Sequence, residues 1–290
     1  MTRAAALALL LLSGLAGGCS RGPQAAGDSR LSVFVSIPPQ AYFVDRVGGQ
    51  RVRTEALVRP GQDAHTYEPT PRQMSEVARA KVYFRIGFPF ENALIPRLED
   101  TVPGLSIVDT RQGITLRPLE GEDAAGAQAG LDPHIWMSPT LVMRQVRTIR
   151  DTLIRLDPAG EGEYRANAER FISELQRVRS RIAEVLATLR GRALLVYHPA
   201  FGYFADEFGL KQVPVESAGK EPTSRQLARL IERARAQGIK VVFVQPQFSQ
   251  AGARAMAEAI GGAVVPLDDL AYDYLNNLQT IARTIQEALH

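Results

Sequence analysis

Residues 162–189 read GEYRANAERFISELQRVRSRIAEVLATL, and this stretch divides the chain into two parts. Its interior has no glycine or proline, and apolar side chains recur at alternating steps of four and three, at Phe171, Leu175, Val178, Ile182, Val185 and Leu189. That spacing places them along one side of an α-helix, which at 1.5 Å per residue spans roughly 40 Å. The apolar seam is too short for a coiled coil. We therefore predict one long helix that links two lobes.

On both sides of this helix, short β-prone segments alternate with helical patterns. The β-prone segments are 31–36, 51–58, 82–86 and 106–108 before it, and 193–197, 212–215, 240–244 and 263–267 after it. This alternation predicts an α/β fold with two lobes, each a mostly parallel sheet flanked by helices. The predicted boundaries are a first lobe at 31–157, a linking helix at 158–191 and a second lobe at 192–290.

Three predicted helices carry clear start signals. Thr70 and Ser138 are good N-cap residues that are each followed by a proline, and Thr223 is a third N-cap candidate. Such residues satisfy the free N–H groups of a first helical turn, and proline fits the first helical position. A last helix is predicted over residues 274–289.

The composition excludes some classes of function. The chain has 290 residues, of which 45% are hydrophobic and 22% are charged, as in soluble globular proteins. The net charge of +3 comes from 34 basic and 31 acidic residues. We see no dense basic block with interleaved aromatic residues, so we expect no binding of nucleic acid.

The N-terminus has the pattern of a secretory signal peptide. Arg3 provides a positive start, residues 4–12 are an unbroken apolar run, and small residues at 16–18 precede Cys19. The run is too short to be a stable membrane span. Small residues directly before a cysteine resemble a bacterial lipobox. We therefore predict a signal peptide at 1–18 and lipidation of Cys19.

Cys19 is the only cysteine, so the chain can form no intramolecular disulfide. The alternative to a lipoprotein is a secreted protein with a stray thiol, which is unusual in an oxidising compartment. Ala16 stands where leucine is commoner in lipoboxes. Residues 19–30 are rich in Gly, Ala and Ser and predict a flexible tether. The prediction is an extracytoplasmic protein anchored to a membrane through Cys19.

Three of the four histidines occupy similar places in the predicted fold. His65 lies in PGQDAHTYEP between a strand and a helix, His134 in DPHIWMSP ahead of a helix, and His198 directly after a strand, in YHPAF. Ligands of open α/β sheets bind beyond the carboxyl ends of the strands. A cleft between the lobes could gather these three side chains. His290 ends the chain, and we assign it no role.

Asp268 follows the strand predicted at 263–267 and has the same placement as the histidines. Three neutral imidazoles and one carboxylate form a four-coordinate site that suits zinc. Asp269 is a competing candidate, and Glu68 a minor one. Each of these residues alone is more often a surface or capping group, and the shared placement is what indicates a metal site.

Asp63 and Asp132 precede two of the histidines by two residues. We assign both to turns or to hydrogen bonds with a histidine nitrogen. Trp136 is expected to pack in the core.

At these residues the sequence resembles the metal-binding lipoproteins of bacterial ABC importers, the cluster A-I (cluster 9) solute-binding proteins of the ZnuA and TroA type. The resemblance covers nearly all of the mature chain. Residues 60–69, 132–136 and 197–203 are similar to the family's three histidine loops, and 267–270 to the segment of its fourth ligand. It implies two lobes joined by a rigid helix, with a metal between them held by His65, His134, His198 and Asp268.

The resemblance also implies a function. We expect high-affinity binding of a divalent metal and its delivery to an ABC permease, with no enzymatic activity and a monomeric state. Because one helix leaves no loose hinge strands between the lobes, the movement on binding should be small.

Two features bear on which metal is bound. Zinc-dedicated members of the family often carry a His-rich acidic loop before the second motif, whereas residues 113–130 contain acids but no histidine. Manganese-selective members often replace the third histidine by glutamate, whereas this chain has His198. The histidine set favours zinc, which such a site also binds more tightly than manganese. Manganese and iron remain open.

Two other classes of function compete with transport. A zinc hydrolase needs an open coordination position and a nearby acid or base, and the sequence has no HExxH pair. A surface adhesin is compatible with the lipid anchor.

Overall fold

The computed structural model describes residues 29–120, 130–216 and 221–290. Two parallel four-stranded sheets form its framework, which confirms the predicted α/β class. The first contains β1 (Leu31–Val35), β2 (Val52–Ala56), β3 (Val82–Arg85) and β4 (Ser106–Asp109) in the order β2-β1-β3-β4. The second contains β5 (Ala193–Val196), β6 (Lys211–Pro214), β7 (Val241–Val244) and β8 (Ala263–Pro266) in the order β6-β5-β7-β8.

Both sheets reverse their strand order at equivalent places. In the first lobe the reversal lies between β1 and β3, and in the second it lies between β5 and β7. The two strands at each reversal run parallel. Crevices at the carboxyl ends of such strands are the usual ligand sites of doubly wound sheets. The two lobes therefore each present one such crevice.

Nine α-helices connect and cover the strands within the described residues. They are α1 (Pro38–Gly48), α2 (Pro71–Val77), α3 (Pro89–Thr101), α4 (Pro139–Leu156), α5 (Glu161–Val185), α6 (Gly202–Phe208), α7 (Ser224–Ala236), α8 (Gln250–Ile260) and α9 (Tyr274–Leu289). The predicted start signals are confirmed. Thr70 and Thr223 each form a reciprocal capping box with a glutamine three residues on, and the Ser138 hydroxyl accepts from the N–H of Leu141.

The long helix α5 contains 25 residues and packs against α1 and α4 of the first lobe and against α9 of the second. Phe171, Leu175, Val178 and Ile182, four members of the predicted apolar stripe, are buried. The α-helix stops at Val185, and the last part of the predicted helix is a 3-10 turn at Ala187–Leu189.

One hydrophobic core extends through both lobes. It includes Phe43 of α1, Phe171 of α5 and Tyr274 of α9, and the rings of Phe43 and Tyr274 meet edge to face with centroids 4.8 Å apart. A second, smaller core covers the other face of the second sheet, around Leu195 and Val242. The shared core leaves little freedom for one lobe to move as a separate body.

Polar contacts also join the lobes. Glu207 on α6 accepts hydrogen bonds from Ser138, from the hydroxyl of Thr140 at 2.6 Å and from Arg179 at 2.6 Å. Tyr203, also on α6, donates to the carbonyl oxygen of Asp132 at 3.0 Å. Helix α6 of the second lobe is thereby fixed to the start of α4 in the first.

Cys19 and most of the predicted tether lie outside the described residues. Within the parts of the chain that the structure describes, no helix is both long and apolar enough to cross a membrane.

Candidate metal centre

Three loops bring the predicted histidines together at the boundary between the lobes. His65 lies between β2 and α2, His134 immediately precedes the 3-10 turn Ile135–Met137 before α4, and His198 follows β5. The Nε2 atoms of His65 and His134 are 3.2 Å apart, and those of His198 and His134 are also 3.2 Å apart. The predicted convergence of these side chains is thus present.

This spacing fits a single metal ion. Zinc–nitrogen bonds of about 2.0–2.1 Å in a tetrahedral shell place neighbouring nitrogen atoms about 3.3 Å apart. The three residues each offer a ligand atom, and these atoms all lie within 4.8 Å of one another. The cavity among them has a volume of about 10 Å³, which holds roughly one small sphere.

Burial keeps the imidazoles of His65 and His198 uncharged. His134 and His198 are each 1% exposed. Burial, followed by the charge of His134, lowers the pKa of His65 to about 3. Burial, followed by the charges of His65 and His134, holds the pKa of His198 well below its ordinary value. His65 and His198 are therefore neutral at pH 7, which is the form that binds a metal.

Two carboxylates fix which ring nitrogen faces the cavity. His134 donates from Nδ1 to Asp132 at 2.6 Å, and Asp132 also accepts from the backbone N–H of His134 at 2.9 Å. His198 donates from Nδ1 to Glu216. With the proton on Nδ1, each Nε2 lone pair points at the shared cavity.

Asp132 and Asp63 have the kinds of role predicted from the sequence. Asp63 accepts from the backbone N–H of His65 and from the hydroxyl of Thr66, each at 2.8 Å, and so forms the turn that carries His65. Glu216 was missed. It stands two residues beyond β6, at the carboxyl edge of the second sheet, so the rule that selected Asp268 could also have found it.

Aromatic rings surround the imidazoles. Phe248 stacks on His198 with centroids 4.2 Å apart and an interplanar angle of 11°. Phe88 meets His65 edge to face at 5.1 Å, and Trp136 lies 5.1 Å from His134. Trp136 is buried as expected, and its indole N–H donates to the carbonyl oxygen of Asp269 at 2.7 Å. These rings place apolar surface around the imidazoles, and electrostatic interactions are stronger in such surroundings than in water.

The structure does not place the Asp268 carboxylate in the histidine cluster. One oxygen of Asp268 accepts from the backbone N–H of Leu270 at 2.9 Å and from the Gln247 amide at 3.3 Å, which is the geometry of an Asx turn. Glu68 lines a neighbouring groove.

Like Asp63, Asp269 lines the cavity. It is 5% exposed, and its Oδ1 is buried without a hydrogen-bond partner. Burial raises the pKa of Asp269 to about 7, although the charge of His134 acts in the opposite direction. A bound cation would favour the ionised form of this carboxyl.

Residues 33–288 match the family model of the zinc-uptake complex component A, periplasmic, ZnuA. The chain belongs to the ZnuA family. The predicted resemblance to ZnuA-type solute-binding proteins is therefore confirmed.

Relatives within this group are named for two different metals. The chain is 25% identical over 278 residues to the high-affinity zinc uptake system protein ZnuA of Bacillus subtilis (strain 168), covering 91% of this chain and 86% of that protein. It is 28% identical over 245 residues to the manganese-binding lipoprotein MntA of Halalkalibacterium halodurans, covering 82% of this chain and 79% of that protein.

Solved structures share the architecture. A crystal structure of a ZnuA protein superposes with a TM-score of 0.84 at 40% identity, covering 89% of this chain and 99% of that one. The laminin-binding protein Lmb of Streptococcus agalactiae, described as bifunctional with adhesin and metal-transporting activity, has a TM-score of 0.79 over 90% of this chain and all (100%) of that one. At 23% identity, the likeness to Lmb shows the fold alone. The ZnuA fold has two lobes and a connecting helix, as observed here.

Proposed function

We propose that this chain is the extracytoplasmic binding protein of an ABC importer for a divalent transition metal, with zinc as its main cargo. The observation that carries the proposal is the convergence of three histidine Nε2 atoms on a cavity of single-ion size, with the Nε2 atom of His134 3.2 Å from each of the other two. Membership of the ZnuA family supports the same function.

The proposed ligands are His65, His134, His198 and Asp269. Asp269 replaces Asp268 in this set because the Asp268 carboxylate is engaged in its own turn, whereas Oδ1 of Asp269 is buried beside the cavity without a partner. Three neutral nitrogen donors and one carboxylate oxygen are a donor set that zinc prefers.

Zinc is the preferred cargo on chemical grounds, and manganese is the alternative. Imidazole suits zinc better than it suits manganese, and the general order of divalent affinities favours zinc at any such site. The relatives named for zinc and for manganese support both possibilities. Iron(II) has an intermediate place in this order.

A zinc hydrolase is disfavoured by the same donor set. Catalytic zinc usually has three protein ligands and keeps a fourth position for water. If Asp269 fills that position, no site remains for an activated water. The buried aromatic surroundings suit retention and handover of an ion better than turnover of a substrate.

Capture and delivery are proposed to take place at the membrane surface. The signal peptide at 1–18, the lipidated Cys19 and the tether at 19–30 would hold a monomer near the permease, and the two lobes at 31–157 and 192–290 would present the ion. The name of the manganese-binding relative includes the word lipoprotein, which supports an anchored form.

Removal of one central ligand tests this function directly. His134→Ala should weaken zinc binding by at least about 100-fold, because ligand loss costs no less than loss of a supporting hydrogen bond. His290→Ala is the matched control, since His290 ends the chain far from the other three histidines in sequence, and it should leave binding unchanged. Competition titration with a zinc chelator measures both. Unchanged affinity in His134→Ala would refute the proposed site.

A further inference from the structure

Gln247 is a polar residue of the cavity that the proposed ligand set does not include. It lies in the loop between β7 and α8 and lines the cavity together with the three histidines. Its Oε1 atom is buried and has no hydrogen-bond partner. A buried carbonyl oxygen without a partner is unfavourable unless a ligand completes it.

The orientation of the Gln247 amide follows from its neighbour. Nε2 of Gln247 donates to Oδ1 of Asp268 at 3.3 Å, and the same oxygen accepts from the backbone N–H of Leu270 at 2.9 Å. The reversed amide would place its oxygen against a carboxylate, which repels it. The nitrogen therefore faces Asp268, and the oxygen is left free for another partner.

The loop that carries Gln247 is fixed to the histidine site. Phe248 stacks on His198, and the amide of Gln245 donates to the carbonyl oxygen of His198 at 3.2 Å. The amide of Gln250 donates to the carbonyl oxygen of Gln245 at 3.2 Å. The contacts of Phe248 and Gln245 with His198 hold Gln247 at the cavity without using its Oε1 atom.

We infer that Oε1 of Gln247 is a second oxygen donor to the captured ion, and that Asp268 is the residue that positions it. This inference rests on the proposed function and deepens it, because it gives the site three nitrogen and two oxygen donors. Amide oxygens suit harder cations such as manganese, whereas zinc is satisfied by four ligands. Gln247 therefore strengthens the binding of manganese more than the binding of zinc, which reduces the preference of the site for zinc.

Gln247→Leu tests the inference by removing the oxygen donor from the loop. Binding of manganese should weaken by about tenfold or more, and binding of zinc should change far less, because four ligands remain. Cobalt(II) bound in place of zinc should absorb visible light more strongly in the variant, as a tetrahedral ion does relative to a five-coordinate one. Competition titrations and the cobalt spectrum are the measurements.

Gln250→Leu is the matched control, because it disturbs the same loop through a residue that does not line the cavity. It should leave the zinc-to-manganese ratio and the cobalt spectrum as in the wild type. Asp268→Ala should change the zinc-to-manganese ratio and the cobalt spectrum in the same direction as Gln247→Leu, but by a smaller amount. If neither changes in Asp268→Ala, then Asp268 does not position Gln247.

Two results would overturn the inference while leaving the proposed function intact. One is wild-type metal binding with no change of ratio or spectrum in Gln247→Leu. The other is an equal change in Gln250→Leu, which would mean that the order of the loop matters and the oxygen does not. A wild-type chain that binds neither metal would overturn both.

Discussion

Asp132 and Glu216 each hold a histidine that lines the cavity, through its Nδ1 atom. This contact fixes the ring, and the negative charge makes Nε2 a better donor. The amide of Glu216→Gln cannot supply that charge, so zinc affinity should fall by about 10–100-fold. Glu221 accepts a hydrogen bond from Tyr197 rather than from a histidine, so Glu221→Gln is the control. Chelator competition measures both, and an unaltered affinity in Glu216→Gln would contradict the assigned role.

The two neighbouring acids should respond differently to the same substitution. Asp269→Asn removes the charged oxygen beside the cavity and should weaken zinc binding by at least about tenfold. Asp268→Asn retains an oxygen that can accept from Leu270 and Gln247, so its effect should be much smaller. Isothermal titration of the two variants compares them. A larger loss in Asp268→Asn would return the ligand role to Asp268.

The three histidines stand out in the sequence because histidine is rare in this chain and each of the three lies in a loop next to a predicted strand or helix. It could not choose between Asp268 and Asp269. Adjacent residues of an extended segment point to opposite sides, and here the turn made by the Asp268 side chain determines which acid reaches the cavity. Glu216 directly follows the strand predicted at 212–215, which is the same placement that selected Asp268, so the same rule could have found it.

At the level of elements, Asp157 joins the first lobe to the beginning of the linking helix. It accepts from Arg51 at 2.7 and 3.0 Å and from the Tyr164 hydroxyl at 2.6 Å, so it connects the start of β2 with the junction of α4 and α5. The hydrogen bonds from Arg51, followed by that from Tyr164, hold the pKa of Asp157 below its ordinary value.

This lowered pKa gives the contribution of Asp157 a defined pH range. A carboxyl whose pKa is lower in the folded protein than in the unfolded protein stabilises the fold at pH values above its unfolded-state pKa of about 3.9. This stabilisation is lost as the pH falls through the folded-state pKa. Asp157→Asn should therefore lower Tm at pH 7 by a few degrees, and the difference from wild type should shrink near pH 3. Thermal unfolding at both pH values is the measurement. Asp151→Asn, an exposed ion-pair residue on α4, is the control, and an equal difference at both pH values would contradict the prediction.

Apolar periodicity and start signals predicted the helices and strands well, and the exceptions have local causes. Helix α5 was predicted to reach Leu189 but ends at Val185, because the chain tightens into a 3-10 turn before the positive φ of 79° at Gly191. Helix α3 extends over Pro89–Thr101 although Pro96 lies inside it. Burial of Phe90 and Leu94 sustains it, and such tertiary packing cannot be read from a local pattern.

Across the whole molecule, the lobes are joined by more than the linking helix. The shared core and the contacts of Glu207 and Tyr203 fix α6 to the first lobe. This arrangement agrees with the small movement expected from the sequence. The strand order of each sheet could not be predicted, because it depends on contacts between segments that are distant in the chain.

Small-angle X-ray scattering with and without zinc tests the rigidity of the molecule. The radius of gyration should change by less than about 1 Å, which is typical of preorganised binding. A large compaction of the wild-type chain on zinc addition would mean that the lobes close as separate bodies.

Glu207→Ala removes the hydrogen-bond acceptors of Ser138, Thr140 and Arg179 and should lower Tm.

We propose that one ion is held by the Nε2 atoms of three histidines that are far apart in the sequence. Zinc-edge X-ray absorption of the complex with one equivalent of zinc reports these ligands. We expect three imidazole nitrogens at about 2.0–2.1 Å together with oxygen donors, and no sulfur at about 2.3 Å. A spectrum with one imidazole or none, or with a zinc–sulfur contribution from Cys19, would contradict it.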